Sequence, residues 1–127
     1  MLIALVLALL GTSSATTAVA DATPAPQVYQ TELRPQFEAF GYTGELRLTF
    51  NGAYINGTYR PDSGDGLRTV SGGRRGANIW LDIPTLGGIH VVGTMNADGS
   101  MRGSAASRGP SATIYIFTAK PAPSPSP

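Results

Sequence analysis

Cysteine is absent from this 127-residue chain. Small exported domains usually supplement a thin core with disulfides, so here the fold has to rely on packing and hydrogen bonding. The chain also has a single histidine, His90, and without cysteine that leaves no ligand set for a structural zinc site. We therefore expect neither a disulfide framework nor a metal centre.

Charge is scarce as well and gives little direction. Charged residues make up 13% of the chain and the formal net charge is only +1. Nucleic-acid-binding proteins concentrate basic residues on one face, whereas here only Arg74 and Arg75 are adjacent, in the Gly-rich segment 72–76. We predict no nucleic-acid partner, and we interpret the arginine pair as a solvated turn, with contact to an anionic surface or ligand as the alternative.

Groups that carry catalysis are few and scattered. The alternating run around His90 places this histidine on the solvent-exposed face, and no nucleophile-elbow motif is present. The acidic residues fall mostly in predicted turns or on the outer face, which disfavours paired-carboxylate chemistry. Residues 62–66 offer oxygens to calcium but lack the ligand series of an EF-hand loop, so we interpret them as a turn. The sequence predicts a protein that is not an enzyme and carries no cofactor.

Only one long apolar run occurs, from Leu2 to Leu10, and it is shorter than the roughly 20 residues that a membrane span needs. Small residues follow it and end at Ala18-Val19-Ala20, which is typical of a signal-peptidase site. We predict a cleaved export signal, no membrane span after cleavage, and a secreted, periplasmic or cell-surface protein of bacterial type.

The remaining sequence is dominated by short alternating runs separated by Gly-containing turns. The pattern apolar-x-Gly-(Thr/Ser)-apolar occurs three times, at residues 55–59, 91–95 and 101–105. Alternation of this kind predicts β-strands, and closing the sheet would remove its edges. We predict an all-β fold, a small antiparallel up-and-down meander barrel of seven to eight strands.

Two hairpins set the expected register. Asn51-Gly52 predicts a type I′ turn, with Leu48 facing Ile55 across the hairpin. Residues 96–99 predict a type I turn followed by a Gly bulge between strands 88–95 and 100–107. Further strands are expected over residues 66–72, 77–83 and 111–119.

The segment before the barrel has two interpretations. Its aromatic and leucine side chains recur at helical spacing, but Pro35 interrupts the stripe. We expect either an extra strand over residues 28–33 or a single helical turn from Pro35 to Phe40, with Gly41 as a left-handed stop. Either form would place Phe37 and Phe40 over one end of the barrel.

The predicted organisation follows from these boundaries. It comprises an export signal (1–20), a Pro/Ala-rich linker (21–27), a lead strand or short helix (28–42), the barrel (43–119) and a Pro/Ser-rich disordered tail (120–127).

Residues 44–46, 57–59, 71–72 and 116–120 resemble the meander of the avidin-like, calycin-type barrels in strand order and turn placement. The resemblance implies an eight-stranded barrel. It also places Tyr59 where that family has its biotin-contacting tyrosine.

Other positions depart from the family pattern. Pro61 replaces a serine just beyond the tyrosine, Val91 and Ala105 lie where tryptophans would enclose the ligand, and Tyr115 stands where an aspartate would meet the ureido group. The resemblance therefore supports the barrel and argues against biotin as the ligand.

Trp80 is the only tryptophan, and the alternation of Ile79, Leu81 and Ile83 directs it outward. An outward ring suits stacking on a sugar or docking to a partner; the alternative is a side chain lying across a neighbouring strand.

We predict an exported, non-catalytic barrel that binds a small apolar or sugar-like ligand at its mouth, near Tyr59 and Tyr115, with Trp80 as a further candidate contact. The alternative is a cell-surface structural or adhesive module with a filled barrel and no ligand. A cavity of a few hundred cubic ångströms would favour the first function, and the absence of an interior cavity would favour the alternative.

Overall fold

The computed structural model describes residues 25–109 and 111–123, and these form a closed antiparallel barrel. Each strand pairs with the next along the chain, and the last pairs with the first, so the predicted all-β up-and-down barrel is confirmed with eight strands. The strands are β1 (Gln27–Pro35), β2 (Tyr42–Asn51), β3 (Tyr54–Pro61), β4 (Arg68–Arg75), β5 (Asn78–Ile83), β6 (Ile89–Met95), β7 (Met101–Ser107) and β8 (Ile114–Pro121).

The predicted export signal, most of the linker and the end of the tail lie outside the described residues. Within the described ranges, no helix is long and apolar enough to span a membrane.

Alternate side chains of every strand point into the barrel and form one core. The predicted inward positions Leu46, Leu48, Ile55 and Tyr59 are all buried. Residues of all eight strands complete the core, because an alternating pattern on a closed sheet sends one face of each strand inward.

The β2–β3 hairpin keeps the predicted faces but not the predicted register. Phe50 pairs with Ile55 and Leu48 with Gly57, so the expected pairing of Leu48 with Ile55 is wrong by two residues. The turn consists of Gly52 and Ala53, and Gly52 alone takes a positive φ, of 61°. A glycine at the first central position suits a type II′ turn, which therefore replaces the expected Asn-Gly type I′ turn.

The β6–β7 hairpin forms as predicted. The Gly99 N–H donates to the Asn96 carbonyl at 3.0 Å, and the Asn96 N–H donates to the Ser100 carbonyl at 2.7 Å. Gly99 has a φ of 88°, which only glycine adopts at little cost. This is a turn closed by a glycine bulge.

The lead segment is a full barrel strand, β1, followed by a turn rather than a helix. Phe37 takes a φ of 75° and its side chain is 94% exposed, while Phe40 is 86% exposed. The expectation that both rings cover the barrel end is therefore wrong. Gly41 is not left-handed; a Cβ there would meet the backbone of Arg34, so close packing of two chain segments requires the glycine.

The strands leave two ends with different connections. We call the end that carries the β1–β2, β3–β4, β5–β6 and β7–β8 loops the upper end. The lower end carries the β2–β3, β4–β5 and β6–β7 turns together with the start of β1 and the end of β8. Each end contains a cavity, and the barrel between them is filled by the core.

Candidate functional site

The upper end holds a cavity of about 380 Å³. Its inner part is lined by the buried residues Tyr59, Pro61 and Thr85, and its opening by the exposed Tyr42 and by exposed hydroxyl and carboxylate groups. The lining residues are Tyr42, Thr43, Tyr59, Pro61, Asp62, Ser63, Asp65, Thr85 and Leu86. Such a surface offers an apolar face and several hydrogen-bonding oxygens to the same small molecule.

Tyr59, the first predicted site residue, lies at the inner part of this cavity. It is 1% exposed, and its ring packs directly across Gly44, where a Cβ would lie 2.5 Å from the tyrosine hydroxyl oxygen. Burial raises the pKa of Tyr59, the Thr31 hydroxyl lowers it, and the Asp62 carboxylate raises it. The phenol is therefore held neutral and can donate a hydrogen bond.

Tyr115, the second predicted site residue, also faces the interior of the upper half. It is 7% exposed, and its ring meets the ring of Tyr42 edge-on, with centroids 6.3 Å apart. Burial raises the pKa of Tyr115, and the neighbouring Tyr42 raises it further. Tyr42 thus links the two predicted tyrosines, since it lines the cavity beside Tyr59 and contacts Tyr115.

Sequence reasoning missed Tyr42 as a site residue, although a signal was present. Tyr42 has the same alternation as Leu46 and Leu48, so it starts on the inward side of β2. Its 52% exposure places it at the opening, where a ligand has access to its ring.

Arg68 lies beside Tyr59 in the barrel but does not line the upper cavity. It pairs with Tyr59 across β3 and β4, and directly opposed residues share a face, so its side chain starts on the inward side. The Nε atom of Arg68 is buried and has no hydrogen-bond partner among the described residues. An unpaired buried donor is costly to the fold.

Leu86 adds backbone strain at the upper cavity. It lines the upper cavity and has a φ of 52°, a left-handed conformation that non-glycine residues rarely adopt. Strain of this kind tends to persist where the surrounding structure holds a functional loop.

Trp80, the third predicted site residue, lies on the outer face and is 40% exposed. Its indole covers Gly73 on the neighbouring strand, so both proposed orientations hold in part: the residue points outward and its ring lies across β4. Trp80 stands in one cross-strand row with the exposed Tyr54 and Val92. The structure therefore brings Tyr59 and Tyr115 to one end of the interior and leaves Trp80 apart from them.

His90 is on the outer face, as expected, but it has a partner that spacing along the chain does not reveal. Its Nδ1 lies 2.8 Å from the Asp82 carboxylate, and Arg108 donates to the same oxygen at 3.4 Å. Asp82 on β5 pairs with Ser71 on β4 and with His90 on β6, so the aspartate lies between the serine and the histidine. Activation of a serine needs the histidine between the serine and the aspartate, and these three residues do not have that order.

The described residues contain no group of three or more His, Asp or Glu side chains arranged to hold a metal. The four positions that depart from the avidin-like pattern are all buried: Pro61, Val91, Ala105 and Tyr115. Comparison with protein-family models, curated proteins and solved structures gives no match to this chain.

Proposed function

We propose that this protein is a non-catalytic binder of a small sugar-like ligand at the upper end of the barrel. The observation that carries the proposal is the 380 Å³ cavity, which combines the aromatic side chains of Tyr42 and Tyr59 with polar groups at its opening. Its volume falls in the range of about 300–1,000 Å³ that small-molecule sites occupy. The alternative ligand for the same cavity is a small apolar molecule of similar size.

The chemistry of the lining favours a polyhydroxylated ligand. A pyranose ring has apolar C–H faces that pack on aromatic rings, and Tyr42, which is 52% exposed, supplies such a ring at the opening. Its hydroxyl groups need donors and acceptors, which Thr43, Ser63 and Asp65 supply at the opening.

We also propose that the protein is exported, that it has no catalytic activity and that it is related to the avidin-like barrels. The closed eight-stranded up-and-down barrel supports the relationship, because that architecture is what the resemblance implies. The separation of Ser71 from His90 in the register supports a binding function over nucleophilic catalysis.

A second candidate is a cell-surface interaction module that uses the outer face. The cross-strand row of Tyr54, Trp80 and Val92 favours it, since these three side chains are 72%, 40% and 55% exposed. Such a module would need no cavity, whereas the first proposal depends on one.

Tyrosine substitutions at the two surfaces separate the candidates. Ligands would be found by native mass spectrometry of the exported protein and by saturation-transfer NMR with a panel of methyl glycosides and small aromatic compounds. We expect Tyr42→Ala to weaken the strongest binder at least tenfold and the control Tyr54→Ala to leave its affinity unchanged. Loss of binding in Tyr54→Ala alone would reject the upper site and favour the outer face.

A further inference from the structure

The lower end of the barrel contains a second cavity, of about 470 Å³, which the function proposed above does not use. Its lining combines apolar side chains with one positive and one negative charge. The lining residues are Ala25, Gln27, Tyr29, Phe50, Arg74, Met95, Asp98, Gly99 and Pro121.

The sequence predicts that Arg74 lies in a solvated turn, and this prediction is wrong, because Arg74 is part of β4. Its place in the strand brings it into the lower cavity. It pairs with the buried Ile79, which puts its side chain on the inward face. The guanidinium stacks over the Phe50 ring at 5.6 Å from the centroid, and it donates to the Gly76 carbonyl at 3.2 Å. These two contacts fix its position.

Most of the hydrogen-bonding capacity of Arg74 is left over. A guanidinium has five N–H donors, and the Gly76 carbonyl takes one of them. No carboxylate among residues 25–109 and 111–123 lies within 4 Å of Arg74. The arrangement presents a fixed cation, without an ion-pair partner in the described part of the chain, to a partly apolar cavity.

Tyr29 lies beside this cation. It is 2% exposed, burial raises its pKa, and the charge of Arg74 opposes that rise. The phenol thus keeps its proton and has a hydroxyl to donate. Phe50 and Met95 provide apolar surface next to the two polar groups.

We propose that the lower cavity binds an organic carboxylate with an apolar body. The carboxylate pairs with Arg74, which favours planar anions because its donors lie in one fork, and the apolar part packs on Phe50, Met95 and the Tyr29 ring. This site is separate from the upper cavity, so the barrel has two ligand sites of different chemistry.

The charge of Asp98 allows a test of whether the lower cavity prefers an anion or a cation. It lies on the rim of the same cavity, and its carboxylate accepts hydrogen bonds from the N–H and the hydroxyl of Ser100. These hydrogen bonds keep it ionised, so it repels an anion and attracts a cation. An anion site centred on Arg74 should therefore improve when Asp98 becomes neutral.

The experiment uses three probes of one size: benzoate, benzyl alcohol and benzylammonium. Binding to the purified protein is followed by the NMR shifts of the Met95 methyl and Gly99 amide groups. We expect benzoate to bind more tightly than the other two and to weaken as salt is added. Equal binding of all three probes, or a preference for benzylammonium, would overturn the proposal.

Three variants test the assigned residues. Arg74→Gln should weaken benzoate binding by about 10- to 100-fold, the range for losing a hydrogen bond to a charged group, while the outward neighbour variant Arg75→Gln should not. Asp98→Asn should tighten benzoate binding by about two- to fivefold, the range of an exposed charge effect. If Arg74→Gln does not fold, Asp98→Asn and Arg74→Lys decide, because lysine keeps the charge but loses the planar fork and should weaken benzoate binding. Unchanged or weaker binding in Asp98→Asn, or unchanged binding in Arg74→Lys, rejects the site.

Discussion

The ring of Tyr59 lies directly across Gly44, so closely that a Cβ at Gly44 would stand 2.6 Å from the ring carbon that bears the hydroxyl. Contacts between carbon atoms are normally 3.5–4.0 Å. A side chain at Gly44 is therefore incompatible with the observed position of Tyr59, and the inner part of the upper cavity depends on this glycine.

We expect Gly44→Ala to displace the Tyr59 ring and to lower the free energy of unfolding by about 1–3 kcal/mol, the usual cost of overpacking a core. Urea unfolding measures the change. In a Tyr59→Ala background the added methyl has no ring to meet, so the double mutant should lose less than the sum of the single effects. Additive losses would show that the two residues do not interact.

Trp80 offers an optical test of the outer surface, since it is the only tryptophan. A Cβ at Gly73 would overlap the six-membered part of its indole ring. We expect Gly73→Ala to push the indole into solvent and to shift its fluorescence emission to longer wavelength, with little loss of stability because the ring can move outward. An unchanged emission maximum would mean that the indole does not rest on Gly73.

Leu86 and Phe37 form a matched pair for testing strain at the site. Both are non-glycine residues with positive φ, of 52° and 75°, but only Leu86 lines the upper cavity. Phe37→Gly should raise the free energy of unfolding by up to about 1 kcal/mol, because its side chain is exposed and the left-handed conformation penalises a Cβ. Leu86→Gly gains the same relief but loses the packing of its side chain against the core, so its free energy of unfolding should be lower than that of Phe37→Gly.

Ligand affinity should separate these two variants. Leu86→Gly removes apolar surface from the upper cavity and should weaken binding of the ligand identified by mass spectrometry, whereas Phe37→Gly should leave its affinity unchanged. Equal affinities in titration calorimetry would exclude Leu86 from the site.

Buried tyrosines should make the barrel sensitive to alkali. Burial raises the pKa values of Tyr29, Tyr59 and Tyr115 above the ordinary 10.0, so the folded protein holds these protons more tightly than the unfolded chain does. Stability is then complete below pH 10.0 and falls as the pH rises above it. Urea midpoints across this range measure the slope, and Tyr59→Phe should make it shallower. A slope unaffected by Tyr59→Phe would contradict the assigned burial.

Much of the fold was predictable because alternation and turns are local signals. The period-two pattern placed Leu46, Ile55 and Tyr59 on the buried face, and the glycine bulge at Gly99 followed from four consecutive residues. The β2–β3 register was not predictable from the Asn51-Gly52 dipeptide. A shift of two residues leaves every side chain on its predicted face, so the hydrophobic pattern does not distinguish the two pairings.

The site was predicted only in part, because it depends on which strands become neighbours. Tyr59 and Tyr115 were identified, but Tyr42 joins them only after the first and last strands of the barrel pair, and His90 meets Asp82 only across β5 and β6. Arg74 illustrates the same limit, since its neighbour Arg75 looks equivalent in the sequence and lies on the opposite face of the strand.

The amino-acid sequence by itself determined the class of fold, the inward and outward faces of the strands and the absence of disulfides, because each depends on the residue types of short segments. Tertiary structure alone decided the register of the β2–β3 hairpin, the two cavities at the barrel ends and the partners of Tyr42, Arg74 and His90. These features join side chains from strands far apart in the chain, and their positions are fixed only when β8 pairs with β1 and the register of every hairpin is set.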